Sequence, residues 1–270
     1  MLPYEIKIAA GRRTPILLSI PHCGTDFPPE IKDDYSPALA TAPDDTDWFL
    51  DRLYDFAPAL GITTISAVWS RWVIDLNRHP DRKPLYSDGR IITDLCPTTT
   101  FLGEPIYNDR RTEVDAGEVW RRRERYFDPY HEKIAELLVE LQADFDHVLL
   151  WDCHSIRHVV PTIQADSFPE LILGSADGES ADTTIIDGAL SCLSRGGYSL
   201  GHNHPFKGGY ITRHYGNPRQ HRHALQLEMS KRNYMDDMER DYHPERAKRV
   251  AELLYDTLDR LSKTLISLKD

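Results

Sequence analysis

The stretch that decides the fold is His147-Val148-Leu149-Leu150-Trp151-Asp152-Cys153-His154-Ser155. Its continuous apolar run is typical of a strand buried on both faces, as in the parallel part of an α/β sheet. The run stops at Asp152, Cys153 and His154, three side chains that can bind metals or protons. Functional groups in open α/β sheets collect outside the carboxyl ends of such strands. We therefore expect the chemistry of this chain close to residues 152–154.

An earlier stretch has the same design. Pro15-Ile16-Leu17-Leu18-Ser19-Ile20-Pro21-His22-Cys23-Gly24 is an apolar strand followed by a His. Two buried strands that each deliver a His at the carboxyl edge predict one shared site. Zn²⁺ accepts imidazole nitrogen and carboxylate oxygen, and Asp47, expected at a helix start, is well placed as third ligand. The alternative is that His22 and His154 are hydrogen-bonded near-surface residues and that Asp44, Asp45 or Asp47 caps the helix.

The remaining pattern alternates strands with helices, which indicates one α/β domain over residues 1–270. Further strands are predicted at Tyr4–Ala9, Ile62–Trp69, Leu171–Leu173 and His223–Met229. Helices are predicted from Asp44 to near Gly61, from Ala116 toward Phe127, from Asp128 (as N-cap) with Pro129, over Asp182–Ser194, and from Pro244 onward. Residues 79–113 are rich in turn formers and predict a long functional loop or lid.

Composition excludes several classes of protein. The 270 residues carry a formal charge of −11, which argues against nucleic acid or an anionic membrane as partner. Any anionic substrate must therefore meet a local group of arginines. We find no run long enough for a membrane helix and no signal peptide, and the four cysteines form no C-x-x-C pair. A reduced cytoplasmic protein is expected, and its oligomeric state stays open.

Candidate anion-binding residues follow the third predicted strand. Asn77 and Arg78 come directly after an apolar segment, where Arg78 would grip a carboxylate with two hydrogen bonds and Asn77 would orient it. Arg71 and Arg213 are further candidates. The alternative for Arg78 is a surface ion pair with Asp75.

Glu228 is the candidate general base. The period of two in a strand places it on the same face as Ala224 and Gln226. A carboxylate beside a metal-activated water can accept its proton. The alternative is an ion pair with Lys231 or Arg232.

Two other readings carry less weight. A second metal among five clustered histidines is disfavoured, because their spacing matches no structural zinc pattern: His202, His204, His214, His221 and His223. A nucleophilic Cys23 or Cys153 is also disfavoured, because neighbours on a strand point to opposite faces and sequence adjacency to a His forms no dyad.

Together these motifs resemble the N-formylglutamate amidohydrolase family. The resemblance rests on five segments in order along nearly the whole chain: 19–25, 47–48, 70–78, 152–155 and 206–230. That family is related to zinc carboxypeptidases and aspartoacylase, which implies a mixed, mostly parallel sheet flanked by helices. It also implies one catalytic zinc per chain, other divalent metals being possible. The Glu that those relatives carry three residues after the first His is replaced here by Thr25, which implies that the carboxylate ligand comes from elsewhere. With His22 and His154 as the histidine ligands, we choose Asp47 as the third, and Asp45 is the alternative.

The resemblance also implies a reaction and a role for each residue. N-formyl-L-glutamate would be hydrolysed to formate and L-glutamate, the last step of a histidine degradation route. Glu228 would act as base and Arg71 would stabilise the oxyanion. Asn77, Arg78 and Arg213 would hold the two carboxylates of this small dianionic substrate. The rival hypotheses are a related N-acyl-amino-acid amidohydrolase, a carboxypeptidase, and a metal-free binding protein for an acidic ligand.

Overall fold

The computed structural model describes residues 1–81, 94–108 and 113–268. Seven strands form one sheet: β1 (Tyr4–Lys7), β2 (Ile16–Ile20), β3 (Thr63–Ala67), β4 (Val148–Ile156), β5 (Leu171–Gly174), β6 (Leu200–His202) and β7 (Arg222–Ser230). The α-helices are α1 (Pro37–Thr41), α2 (Leu50–Leu53), α3 (Ala116–Arg122), α4 (Asp128–Asp144), α5 (Thr183–Leu193), α6 (Tyr210–Tyr215) and α7 (Pro244–Ser267). Short 3₁₀ turns lie at Lys32–Asp34, Ala57–Leu60, Ala176–Gly178, Ser194–Gly196, Pro218–Gln220 and Lys231–Asn233.

The sheet is mixed, as predicted, and its order is β1-β3-β2-β4-β7-β5-β6. The four central strands β3, β2, β4 and β7 are parallel to one another. The edge strand β1 is antiparallel to β3, and β5 is antiparallel to β7 and parallel to β6. All residues of β2 and β4 are buried, because parallel strands in the middle of such a sheet are covered on both faces. The predicted α/β class is therefore confirmed.

Alternation along β4 separates its side chains between two hydrophobic cores. Leu149, Trp151 and Cys153 belong to the core that contains α5 and α7. Val148 and Leu150 belong to the core that contains α4. Each fully buried Leu or Val side chain contributes about 1.5–3 kcal/mol of hydrophobic stabilisation. Because side chains alternate, Asp152 and His154 continue the α4 face.

Two helix starts differ from the prediction. No helix begins at Asp44 or Asp47: α2 starts at Leu50, after Phe49 with a φ of 63°. The Asp47 N–H donates instead to the His22 carbonyl at 2.9 Å, which holds this segment as a loop against the end of β2. Asp128 does not cap a new helix either.

The segment around Asp128 is continuous helix. A π-helical turn, Arg123–Phe127, joins α3 to α4, and Phe127 keeps helical angles. Pro129 cannot donate a backbone hydrogen bond, and a π turn accommodates such a lost bond without ending the helix. The other predicted helices are confirmed, with Asp182 accepting a hydrogen bond from the Thr184 N–H as N-cap of α5.

Helix α6 was missed, because its six residues lie in a His- and Gly-rich segment with little periodicity. The predicted lid at 79–113 falls partly on 82–93 and 109–112, which lie outside the described residues. The single domain over 1–270 stays a prediction. In the described ranges, no helix combines the length and apolar character needed to cross a membrane.

Candidate metal centre and active site

Strands β2, β4 and β7 bring their polar ends to one edge of the sheet. In the β4–β7 register, Asp152 pairs with Gln226 and His154 pairs with Glu228. Paired residues of parallel strands point to the same face. His22 lies two residues beyond the end of β2, which is the other neighbour of β4. The predicted convergence of the two His-bearing strands is confirmed.

Three side chains at this edge form a compact group of metal-binding type. His22, Asp47 and His154 are buried and each offers a ligand atom within 4.8 Å of the others. Asp47 Oδ2 lies 3.3 Å from His154 Nδ1 and 3.7 Å from His22 Nδ1. Two imidazole nitrogens and a carboxylate oxygen are a donor set that Zn²⁺ accepts, with a position left for substrate or water.

A second carboxylate holds the far side of each imidazole. His22 Nε2–H donates to Asp75 Oδ1 at 2.8 Å. His154 Nε2 lies 2.9 Å from Asp152 Oδ2. With the proton on Nε2, the Nδ1 atom of each ring is left as a lone-pair donor facing Asp47. Carboxylates that orient metal-bound histidines in this way are common in metalloenzymes.

Two buried atoms of the group show that the residues present fit a metal. Within the described residues, His22 Nδ1 and Asp47 Oδ1 have no hydrogen-bond partner. An unpaired buried polar atom costs free energy, and an ion is one of the partners that removes this cost. Both atoms belong to the donor set proposed for the metal.

The two imidazoles have opposite electrostatic surroundings. Burial, reinforced by the Arg71 cation, lowers the pKa of His22 to about 4. Burial also opposes the charged form of His154, but Asp152 and Asp47 raise its pKa well above the usual value. His22 is therefore neutral at pH 7. His154 holds its extra proton because of Asp152 and Asp47, and a metal cation in place of that proton would be attracted by the same two carboxylates.

Asp45 and Asp47 have different partners in the structure. Asp45 is occupied elsewhere, because its carboxylate accepts hydrogen bonds from Trp72 Nε1 at 2.9 Å and from the Phe101 N–H at 3.1 Å. The Lys231 ammonium donates to the Asp44 carbonyl at 2.9 Å. These contacts fix the loop that carries Asp47, and of Asp45 and Asp47 it is Asp47 that faces the Nδ1 atoms of the two imidazoles.

Glu228 lies beside His22, Asp47 and His154, and its surroundings raise the pKa of its carboxyl group. Burial raises the pKa of Glu228 to about 8, with the Asp47 charge adding to the effect and the His154 charge opposing it. Of its two alternative partners, Lys231 bonds the Asp44 carbonyl and Arg232 approaches Glu239 at 3.6 Å. Glu228 is thus a carboxylate of raised basicity close to the metal ligands, which suits a general base.

The three candidate arginines occupy different positions. Arg71 is 6 % exposed and donates to Asp75 Oδ2 at 2.6 Å. Arg78 is partly buried and its Nη2 lies 3.7 Å from the same Asp75 oxygen. Burial would raise the pKa of Asp75, but Arg71, Arg78 and the His22 bond hold it well below its usual range. Arg213 lies on the exposed side of α6, where its Nε donates to the Gly208 carbonyl at 3.0 Å.

Comparison with known proteins gives the family. Residues 14–235 match the N-formylglutamate amidohydrolase family. The chain belongs to this family. It is 45% identical over 226 residues to an N-formylglutamate deformylase of Pseudomonas aeruginosa, with 83% of this chain and 84% of that protein covered. It is 40% identical over 229 residues to a deformylase of the same name from Pseudomonas putida, covering 84% of each.

A solved structure shares the fold. The crystal structure of N-formylglutamate amidohydrolase from Ralstonia eutropha JMP134 matches with a TM-score of 0.84 at 23% identity, covering 98% of this chain and 99% of that one. As an N-formylglutamate amidohydrolase family member, the chain is a hydrolase of amide bonds, and its sheet and helices are those of a family fold.

Several residues of this family member's site were missed or given another role by sequence reasoning. Asp75 entered only as a possible partner of Arg78, yet it orients His22. Asp152 was noted as a side chain that can bind a metal or a proton, and it contacts His154. Gln226 was predicted only to share a strand face with Glu228. The signal that could have found Asp75 is its place two residues before Asn77, at the end of a buried segment.

The two disfavoured readings find no support. Cys153 is buried in the core opposite the site face, and burial raises its pKa well above the usual value. Burial likewise raises the pKa of Cys23. Of the five clustered histidines, His202 contacts Ser175 and His214 stacks on Tyr210. In the part of the chain that the structure describes, His22, Asp47 and His154 are the one group of metal-binding geometry.

Proposed function

We propose that this chain hydrolyses N-formyl-L-glutamate to formate and L-glutamate with one divalent metal, zinc first among the candidates. The observation that carries the proposal is the buried group of His22, Asp47 and His154 next to a Glu228 of raised pKa. The two Pseudomonas relatives named N-formylglutamate deformylase support this substrate. We place the reaction at the last step of histidine degradation, in the cytoplasm.

The metal would be held by His22, Asp47 and His154, and it would supply Lewis-acid polarisation of the formyl carbonyl and of the attacking water. Glu228 accepts a proton from that water as the new C–O bond forms. Glu228 then returns the proton to the amide nitrogen as the C–N bond breaks, so that formate and the amino group of glutamate are released. A carboxylate with a pKa near neutrality is suited to both transfers.

Arg71 and Arg78 bring positive charge to Asp75, beside His22, and we add Arg213 of α6 as a third candidate for binding the substrate. Arg71 is buried beside Asp75 and is assigned to the developing oxyanion. Arg78 and Arg213 are assigned to the two carboxylates of the substrate. With a net charge of −11, the protein does not attract a dianion over long range, so these short-range contacts must supply the binding.

The experiment that tests this function measures formate release by the purified protein, with and without a chelator. N-formyl-L-glutamate is compared with N-formyl-L-glutamine and N-formyl-L-leucine. We expect turnover of N-formyl-L-glutamate, its loss on chelation, recovery on zinc addition, and a kcat/KM at least about 10-fold lower for the two neutral analogues. Equal kcat/KM for all three substrates would indicate a general amide hydrolase. Unchanged activity after complete metal removal would contradict the proposed metal dependence.

A further inference from the structure

We propose that Gln226 is a positioning residue that couples residues 208–215 to the metal ligand His154 through Asn77. This inference rests on the proposed function, because it concerns the position of residues 208–215, which carry the proposed substrate-binding Arg213, relative to the metal centre. Gln226 hydrogen-bonds Asn77 and the Gly209 N–H, and its effect on His154 passes from Asn77 through Asp152, which accepts from both Asn77 and His154.

Gln226 accepts two hydrogen bonds on one oxygen. Its Oε1 receives the Gly209 N–H at 2.8 Å and Asn77 Nδ2–H at 3.2 Å. The side chain is buried, and it lies opposite Asp152 in the β4–β7 register. One oxygen near the centre of the sheet therefore anchors both the loop before α6 and the Asn77 amide, which bonds the Asp152 carboxylate beside His154.

The Asn77 amide is fully used inside the protein. Its Nδ2 donates to Asp152 Oδ2 at 3.3 Å and to Gln226 Oε1 at 3.2 Å, and the same Asp152 oxygen accepts from His154 Nε2–H at 2.9 Å. Its Oδ1 accepts the Ile211 N–H at 2.8 Å. Two amide protons and one carbonyl oxygen are thus assigned to protein partners, so Asn77 acts as a bridge between β4, β7 and α6. This geometry favours positioning over the direct carboxylate contact expected from sequence.

Close backbone approach makes this bridge stiff. A Cβ at Gly209 would lie 2.4 Å from the amide atoms of Asn77, and a Cβ at Gly174 would lie 2.6 Å from the Gly208 nitrogen. The loop before α6 is therefore pressed against Asn77 on one side and against β5 on the other. Because there is no room between these groups, a shift of the Asn77 amide displaces the loop.

The loop in turn places Arg213. The Arg213 Nε donates to the Gly208 carbonyl at 3.0 Å, one residue from the Gly209 N–H that Gln226 receives. His154 is held from the other end by Asp152, whose Oδ2 also accepts from Asn77 Nδ2–H. Gln226 therefore sets the distance between residues 208–215 and His154. Its loss should weaken substrate binding more than metal binding.

The test replaces Gln226 by Met, which keeps the length of the side chain and removes the acceptor. We expect Gln226→Met to bind zinc at one ion per chain and to raise the KM for N-formyl-L-glutamate about 10-fold, a lost buried hydrogen bond being of that scale, with kcat changed less than KM. The amides of Gly209 and Ile211 should exchange hydrogen faster, whereas those of β4 should not. Gln142→Met on the surface of α4 is the matched control.

Two further variants keep the test decisive. Gln226→Glu retains an acceptor oxygen and should restore slow exchange at Gly209. Gln226→Asn keeps the amide but is one methylene too short, and should reproduce the KM rise if Gln226→Met fails to fold. Wild-type KM and wild-type exchange in Gln226→Met or Gln226→Asn would overturn the coupling. Absence of N-formyl-L-glutamate turnover in the unmutated protein would overturn the proposed function instead, and the exchange measurement would still decide the coupling.

Discussion

At the scale of the residue, the group that hydrogen-bonds Nε2 decides which nitrogen of His22 and of His154 can bind a metal. His22 and His154 both direct Nδ1 toward Asp47, because Asp75 and Asp152 occupy their Nε2 atoms. An imidazole with Nε2 protonated presents a lone pair at Nδ1, and this lone pair is what a metal needs. The ligand set thus depends on two carboxylates that would not themselves touch the metal.

The neighbouring acids Asp45 and Asp47 allow a matched test of the metal group. We expect Asp47→Asn to lose most bound zinc, because the anionic oxygen between the two imidazoles is removed. Asp45→Asn should keep its zinc, because Asp45 bonds Trp72 and the Phe101 N–H instead. Metal content per chain after dialysis, measured by elemental analysis, checks both variants. Equal zinc content in the two would contradict the assignment.

Glu228→Gln tests the general base. The substitution preserves size and removes the acceptor of the water proton, so kcat should fall by about 10²-fold or more. Zinc content and KM should change little, because neither depends on proton transfer. Stopped assays of formate release give both constants. Turnover close to that of the unmutated protein would move the role to another carboxylate, Asp152 being the next candidate.

Arg78→Lys tests substrate recognition. The guanidinium forms a planar, two-pronged contact with a carboxylate that an ammonium cannot reproduce. We expect kcat/KM for N-formyl-L-glutamate to fall about 10-fold or more, the scale of a lost charge-assisted hydrogen bond, with zinc still bound. The exposed Arg12→Lys, in the turn before β2, serves as a matched control. An unchanged kcat/KM in Arg78→Lys would remove Arg78 from the substrate site.

At the scale of the element, His131 joins α4 to the segment that precedes Asn77. Its Nε2–H donates to the Leu76 carbonyl at 2.9 Å, and its Nδ1 lies 3.0 Å from the Tyr215 hydroxyl of α6. The ring also stacks against Tyr215. The segment before Asn77 and helix α6 are therefore both tied to α4 through one buried side chain.

This tie predicts a loss of stability in acid. Burial lowers the pKa of His131 to about 3, whereas an unfolded His titrates near 6.5. The unfolded chain takes up a proton below about pH 6.5 that the folded chain does not, so the contribution is complete above that pH and declines toward pH 3 at about 1.4 kcal/mol per pH unit.

The measurement is urea unfolding of the metal-free protein and of His131→Gln. The variant should be less stable at pH 7.5, and the difference in unfolding free energy should shrink by about 2 kcal/mol at pH 5. A difference that is independent of pH would show that His131 does not titrate between the two states.

At the scale of the whole molecule, the metal ligands come from distant parts of the chain. His22 follows β2, Asp47 lies in the loop before α2, and His154 lies on β4. The unfolded chain does not bring these residues together, so the proposed zinc would bind the folded state and would stabilise it by mass action. Free zinc at 100 times its dissociation constant should add about 2.7 kcal/mol, seen as a rise in Tm of several degrees.

The control for this prediction is Asp47→Asn, whose Tm should respond little to zinc. A Tm of the unmutated protein that is the same with zinc and with chelator would contradict a metal site formed only on folding. A rise of equal size in both proteins would place the zinc elsewhere.

The sequence by itself determined the central strands and the α/β class, and it predicted that His22 and His154 meet at one edge of the sheet. The apolar runs before His22 and His154 are long enough to require burial on both faces, and the motifs at both ends match the family to which the chain belongs. Patterns of this kind are local, because they follow from the two-residue period of a strand and from side-chain chemistry.

Only the tertiary structure decided between Asp45 and Asp47, gave Asp75 its role, and joined Asn77 to Gln226. Each of these depends on contacts between residues far apart in sequence, such as the 149 positions between Asn77 and Gln226. Hydrogen bonds from Trp72 and the Phe101 N–H remove Asp45 from the metal group. No local pattern encodes which of two neighbouring carboxylates finds such partners, because packing of distant elements sets it.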